Sequence, residues 1–208
     1  MIEENKNIYI SYWLLLITFF VALMIVVGGI TRLTDSGLSI TKWDLFMGII
    51  PPLSLEKWIL TFSLYKEIPE FKLLNSNMTL DEFKTIFWWE YIHRLLGRFV
   101  GLLYIIPLLY FNITKKIRFY NAFSYYLIFL LICTQGFLGW YMVKSGLTER
   151  TDVSQYRLSA HLTLAFIIYA LLTLKYFQSI NFKNLNSGKK LPFALTFIFF
   201  FLFYYRYQ

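Results

Sequence analysis

Residues 11–31 read Ser-Tyr-Trp-Leu-Leu-Leu-Ile-Thr-Phe-Phe-Val-Ala-Leu-Met-Ile-Val-Val-Gly-Gly-Ile-Thr, with no charged side chain from end to end. A helix rising about 1.5 Å per residue needs about 20 residues to cross ~30 Å of hydrocarbon, so this stretch predicts a membrane span. Further uncharged runs cover Phe99–Thr114, Phe119–Val143, Leu158–Leu174 and Leu191–Tyr205. The run from Phe119 is long enough as it stands. Those from Phe99 and Leu158 reach full length only when carried back through His93 and His161, which places both histidines inside helices. The last run crosses only with snorkelling or local bilayer thinning.

Composition agrees with a bilayer as the solvent: 58% of the chain is hydrophobic and only 15% charged, against roughly a quarter charged in a soluble domain. The flank Met1–Asn7 is acidic and no small-residue cleavage site follows the first run, so that run is expected to be a permanent span and not a signal peptide. An acidic flank also argues against a mitochondrial presequence, leaving a bacterial plasma membrane as the expected location. The net charge of +8 lies mainly in loops beside apolar spans, where it sets orientation; no nucleic-acid partner is expected. Lys115, Lys116 and Arg118 in one loop, and Lys175, Lys183, Lys189 and Lys190 in another, predict cytoplasmic loops and a cytoplasmic N-terminus. Cys133 has no partner in the chain and reads as a packed small apolar residue.

The expected fold is therefore an all-α integral membrane protein: a four-helix transmembrane bundle built from two repeated helical hairpins, with a partial fifth span. The bundle occupies residues 1–176, with an external loop at about 32–89, and residues 177–208 form a cytoplasmic linker and the fifth segment. Ser36-Gly37-Leu38-Ser39 after the first span and Ser145-Gly146-Leu147-Thr148 after the third echo one another and support the repeat. In the external segment, Thr79 followed by Glu82 has capping-box spacing and predicts a short amphipathic helix leading to the membrane. Trp88 and Trp89 read as interfacial anchors.

His93 and His161 are the only histidines in the chain, and both fall just below the outer entrance of spans running in the same direction. An ionisable ring inside a span is costly unless paired or used. Two imidazoles facing each other across a bundle can take the axial positions of haem iron; the alternative is a pair of hydrogen-bonded interface residues. Zinc would want more ligands than the pair provides. Glu90, one turn before His93, could orient a ligating imidazole or exchange protons with a reacting group; the alternative is a charge paired with Arg94. Arg32, Arg94, Arg98 and Arg157 are read near the outer span ends, where they would bind haem propionates or snorkel to lipid phosphate. Gly28-Gly29, Gly97, Gly101, Gly136 and Gly139 would permit close helix approach.

The ordered motifs Gly28-Gly29-Ile30-Thr31-Arg32-Leu33-Thr34-Asp35-Ser36-Gly37-Leu38-Ser39, Pro51-Pro52, Glu90-Tyr91-Ile92-His93-Arg94 and Arg157-Leu158-Ser159-Ala160-His161-Leu162 together resemble haem A synthase of the alphaproteobacterial and mitochondrial type. The resemblance runs from about Val27 to Ala170. It implies a membrane oxidoreductase that oxidises the C8 methyl of haem O to the formyl of haem A for terminal oxidases, through successive hydroxylations and loss of water. It also implies that His93 and His161 bind the substrate haem, that Glu90 is the functional glutamate, and that haem O synthase and oxidase-assembly factors are partners.

Full-length members resemble two four-helix halves, the second holding haem b on its own histidine pair. This chain resembles the N-terminal half, and the haem b site is expected to be absent. It is expected to be a truncated member: a natural half working with itself as a homo-oligomer or with a separate C-terminal half, a decayed gene, or a fragment. Two other classes stay open beside the enzyme: a non-enzymatic bis-histidine haem carrier or electron-transfer cytochrome, and a haem-free oxidase-assembly subunit.

Overall fold

The structure, a computed structural model, describes residues 2–41, 50–117, 119–149 and 153–180. The helices in these residues are α1 (Ile2–Leu33), α2 (Leu55–Tyr65), α3 (Pro69–Leu73), α4 (Leu80–Ile113), α5 (Phe119–Glu149) and α6 (Gln155–Ser179). Four of them contain stretches long and apolar enough to cross a membrane: Ile8–Leu33, Leu80–Ile113, Ala122–Leu147 and Gln155–Ser179. The apolar run at 191–205 lies outside the described residues, as does most of the linker before it.

The spanning helices form a ring. α1 packs on α4 and α6, and α5 packs on the same two helices. α4 and α6 therefore lie on one diagonal, α1 and α5 on the other. Ser179 Oγ donates to Ser11 Oγ at 2.8 Å, tying the end of α6 to the start of α1, so α1 and α5 run one way and α4 and α6 return.

Two turns stop helices without the usual glycine. Asp35 has φ 47° and Lys115 has φ 53°; the Ser36 amide then reaches back to Thr31 O at 2.9 Å and the Lys116 amide to Phe111 O at 2.8 Å. Both are Schellman-type closures that satisfy otherwise orphaned carbonyls at the helix end. Asp tolerates the left-handed region better than Lys, which gains nothing local from it.

The bundle has two packed regions with a looser layer between them. At the end holding Ser11, Ser179 and Lys115, here called the far side, Trp13, Leu14, Ile17, Tyr104, Leu108, Tyr125 and Leu172 are part of a closed core. The Trp13 indole N–H donates to Leu103 O at 3.0 Å and the Tyr104 hydroxyl to Tyr125 O at 2.9 Å, so the polar tips of these rings are satisfied inside the apolar core.

At the opposite end, α2 and α3 make a cap over the bundle. Phe62, Tyr65 and Ile68 from the cap pack on Phe83, Phe87 and Tyr91 of α4 and on Leu38 and Val153. Ser54 caps α2 by accepting from the Lys57 amide, and Pro69 opens α3 where its missing N–H costs nothing.

The Thr79–Glu82 capping box is present, but it starts α4 itself. The expected separate amphipathic helix is the first turns of α4, so residues 80–89 of the expected external segment are helical. Nothing between Leu80 and His93 breaks a helix, and the aromatic cap covers the apolar face that would otherwise meet water. Likewise α5 runs on to Glu149, past the expected end at Val143. Trp88, expected as an interfacial anchor, packs its ring against Trp58, Phe87 and Tyr91. Cys133 is exposed on the outer surface of α5, not packed inside as expected.

Candidate functional site: a histidine pair between two cores

His93 on α4 and His161 on α6 sit on diagonal helices in the looser layer, near enough to each other to interact electrostatically. Each ring lies in a notch of the neighbouring helix. A Cβ added to Gly28 on α1 would stand 3.0 Å from His93 Cε1, 3.6 Å from Nδ1 and 3.9 Å from Nε2. A Cβ added to Gly139 on α5 would stand 3.1, 3.7 and 3.9 Å from the same atoms of His161.

These matching distances are the structural form of the repeat. They set Gly28 against Gly139, whereas the echo of Ser36 with Ser145 is out of step with that pairing by two positions. The repeat is present, but its register is written in the glycines that receive the rings.

Nδ1 of both histidines is buried without a hydrogen-bond partner, while each residue as a whole keeps some accessible surface. Buried polar atoms are rarely left unpaired without a functional reason.

Glu90 is buried one turn on the cap side of His93. Its Oε2 accepts from Ser39 Oγ at 2.6 Å and from the Ile40 amide at 2.7 Å; its Oε1 accepts from Arg94 in a short ion pair. Arg94 also donates to Ile40 O at 3.2 Å. The knot fastens the chain after α1 onto α4. Because His93 Nδ1 has no partner, the carboxylate does not orient that ring through Nδ1, and its acceptor capacity goes to the 39–40 segment and Arg94.

The four arginines expected near the outer span ends lie at different levels relative to the histidines. Arg32 lies about a turn to the cap side of Gly28, exposed and 3.5 Å from Asp35. Arg157 lies about a turn to the cap side of His161, with its guanidinium 4.7 Å from the Tyr141 ring centroid. Arg94 sits at the histidine level in the Glu90 knot. Arg98 lies more than a turn beyond His93 toward the far side, because α4 begins well inside the cap and carries its arginines deeper than the charge boundaries of the sequence imply.

Sequence reading passed over Ser39 as a Glu90 partner, although it stands inside a recognised motif. It also passed over Gln135 and Glu70. The Gln135 amide donates to His161 O at 3.0 Å; the signal was an amide in the middle of an uncharged, mainly apolar run. Glu70 is buried in the cap, accepting from the Tyr65 hydroxyl at 3.2 Å, with Oε2 unpartnered. Burial, with the charges of Glu90 and Asp35, pushes the Glu70 carboxyl up to about 7 despite the Tyr65 bond. The Tyr65 hydroxyl is pushed up too, mainly by burial.

The sequence model of the cytochrome oxidase assembly protein family, COX15-CtaA, matches residues 11–206. The chain belongs to this family. Among curated relatives it is similar to heme A synthase of Pelagibacter ubique, 54% identical over 170 residues that make up 82% of this chain and 51% of the relative. Heme A synthase of Nitrosomonas eutropha is 53% identical over 166 residues, 80% of this chain and 47% of the relative. Heme A synthase of Rickettsia bellii is 52% identical over 171 residues, 82% and 50%. The chain spans about half the length of the curated relatives it matches. No solved structure matches it.

Family membership and the four apolar helices make this a multi-pass membrane protein, and family membership brings haem into consideration. The donors suit such a group. Two imidazoles on opposed helices, each with a glycine where a methyl would press on the ring, are the side chains that would hold a haem iron. Among the described residues there is no cluster of three or more His, Cys, Asp and Glu side chains for a bare metal ion.

Proposed function

We propose that this chain acts as haem A synthase or as its substrate-binding half, taking haem O and oxidising the C8 methyl to the formyl group. The observation that carries the reading is the pair of histidines on diagonal helices, each seated against a glycine with Nδ1 unbonded. In this reading His93 and His161 hold the iron of the substrate, whose porphyrin supplies the methyl to be oxidised.

The protein's own contributions follow from the layers around the pair. The far-side core closes the bundle below, and the aromatic cap shields it above, so water reaches the histidine layer only by restricted routes. Low dielectric there strengthens every charge interaction. Glu90 and Arg94 place a compensated carboxylate beside His93; release of Arg94 or of the Ser39 hydroxyl would free Oε1 or Oε2 to take a proton from a reacting group. Arg32 and Arg157, on the cap side of the pair, suit the haem propionates.

We further propose that this four-helix unit works with a second one carrying a haem b site, supplied by another copy or by a separate C-terminal half. We place it in a bacterial plasma membrane with the N-terminus in the cytoplasm and the cap outside, and we place haem O synthase and oxidase-assembly factors upstream and downstream. Basic Lys115 and Lys116 at the far side support that orientation.

The test is co-expression with a haem O synthase in cells lacking haem A, followed by chromatography of the extracted haems. Haem A is expected, and its loss in Glu90→Gln, with haem O binding retained, assigns the carboxylate to catalysis. Haem O or haem b bound to the chain with no haem A would instead make it a carrier or an electron-transfer cytochrome. No haem at all would leave an assembly subunit.

A further inference from the structure

The two histidines are held alike at the ring and differently behind it. Gly28 and Gly139 receive the rings at the same distances, so residues one turn toward the far side of each glycine are equivalent: Met24 on α1 and Gln135 on α5. Met24 is apolar; its Cε lies 3.5 Å from where a Cβ on Gly97 would be, one turn beyond His93. Gln135 is an amide whose Nε2 donates to the carbonyl of His161 itself at 3.0 Å. Because that bond needs a donor, it fixes which end of the amide is nitrogen. Its oxygen is buried and unbonded on the wall that receives His161, whose Nδ1 is also unbonded.

We infer that Gln135 is a positioning residue for His161, making it the fixed ligand of the pair and leaving His93 as the one that lets go. α5 grips His161 at two points on one face, the ring at Gly139 and the backbone at Gln135. The Gln135 amide oxygen and His161 Nδ1 are both buried without a partner and are not bonded to each other; once the ring turns to hold a ligand, that oxygen is the acceptor for Nδ1–H. Ligating imidazoles are oriented and made more basic by such an acceptor, and losing it typically costs 10- to 100-fold in metal affinity or activity. α1 grips His93 at one point and puts a thioether where the amide would be. Exchange of substrate for product requires one axial bond to open, and the inequality selects which.

This inference rests on the haem reading above, so its test must separate the two. The full chain, purified in detergent, is titrated with ferric haem b; the Soret band gives affinity, and electron paramagnetic resonance gives the low-spin fraction. His93→Ala is expected to keep haem within a few-fold as a high-spin complex, whereas His161→Ala loses it by at least 10-fold. Gln135→Leu is expected to weaken binding roughly 10-fold, to raise the high-spin fraction, and to erase the difference between the two alanine variants when combined with each. Met24→Gln, which places an amide at the equivalent point, is expected to lower the rate at which cyanide displaces the first axial ligand.

Circular-dichroism melts of the haem-free variants separate misfolding from ligand positioning. A Gln135→Leu chain that melts as wild type but shows the spectral change supports the inference. Wild-type binding with equal loss in both alanine variants, or a Gln135→Leu chain indistinguishable from wild type, overturns the inference alone. A wild-type chain with no Soret band overturns the haem reading beneath it.

Discussion

The far-side core and the histidine layer are built on the same four helices, yet one is filled and the other is cleared. At the far side, Trp13, Tyr104 and Tyr125 meet with ring centroids 5.1 and 6.0 Å apart. In the histidine layer the helices carry Gly28, Gly29, Gly97, Gly136 and Gly139, and the buried side chains give way to partly buried ones. In lipid there is no hydrophobic drive between helices, so association depends on dispersion contacts and buried hydrogen bonds. The far side therefore holds the bundle together and frees the other layer to accept a ligand.

The largest expected effect tests the exception in the histidine layer, the Glu90 knot. Arg94→Ala leaves a buried carboxylate without its cation, which costs about 3–5 kcal/mol; denaturant unfolding in detergent measures it. Glu90→Gln, which removes the charge and keeps the shape, is expected to cost much less.

Next comes the filled layer. Tyr104→Ala removes a fully buried ring and its bond to Tyr125 O, with an expected loss on the order of 3 kcal/mol in a thermal melt. Trp13→Phe, which removes the indole N–H from Leu103 O, is expected to cost about 1 kcal/mol. If both were neutral while glycine substitutions in the other layer unfolded the protein, the division of labour would be wrong.

Glycines sharpen the contrast within the cleared layer. Gly28→Ala presses a methyl on His93, whereas a Cβ on Gly29 or Gly136 meets nothing within 4 Å. Gly29→Ala is expected to stabilise the helix by about 0.5–1 kcal/mol and leave the haem spectrum unchanged. Gly28→Ala is expected to alter the spectrum at nearly unchanged stability.

The cap should respond to pH through Glu70. Its carboxyl ordinarily titrates at 4.5 and here at about 7, so between those values the unfolded segment has released a proton that the folded cap retains. Stability of the cap is full below about 4.5, falls as pH rises toward 7, and is flat above. Hydrogen exchange of α2 and α3 after correction for intrinsic rate should show faster opening across that window, and Glu70→Gln should flatten it. A similarly small effect is expected at the turn between α4 and α5, where Lys115→Gly should stabilise by about 1 kcal/mol by relieving the left-handed backbone.

Much of this was legible in the sequence. Charge-free runs located the four spans; the Thr79–Glu82 box marked a helix start, but that helix is α4 itself and not the separate short one expected. The histidines were singled out because each is an ionisable ring in an apolar segment. What could not be read was depth. α4 begins inside the cap, so Arg94 and Arg98 sit lower than their nearness to the start of the apolar run implied. The repeat was visible through serines that turned out to be out of register, because the true equivalence depends on which glycine faces which ring across the bundle. Gln135 and Glu70 were missed because their roles come from tertiary neighbours: a backbone carbonyl on α6 for one, and a buried tyrosine for the other.

The most direct test of the cleared layer as a haem site is the ferric electron paramagnetic resonance spectrum of the purified chain with haem bound. The account predicts a low-spin signal of bis-imidazole type that is lost on His93→Ala and on His161→Ala. A chain that binds no haem, or one whose low-spin signal survives both substitutions, would contradict it.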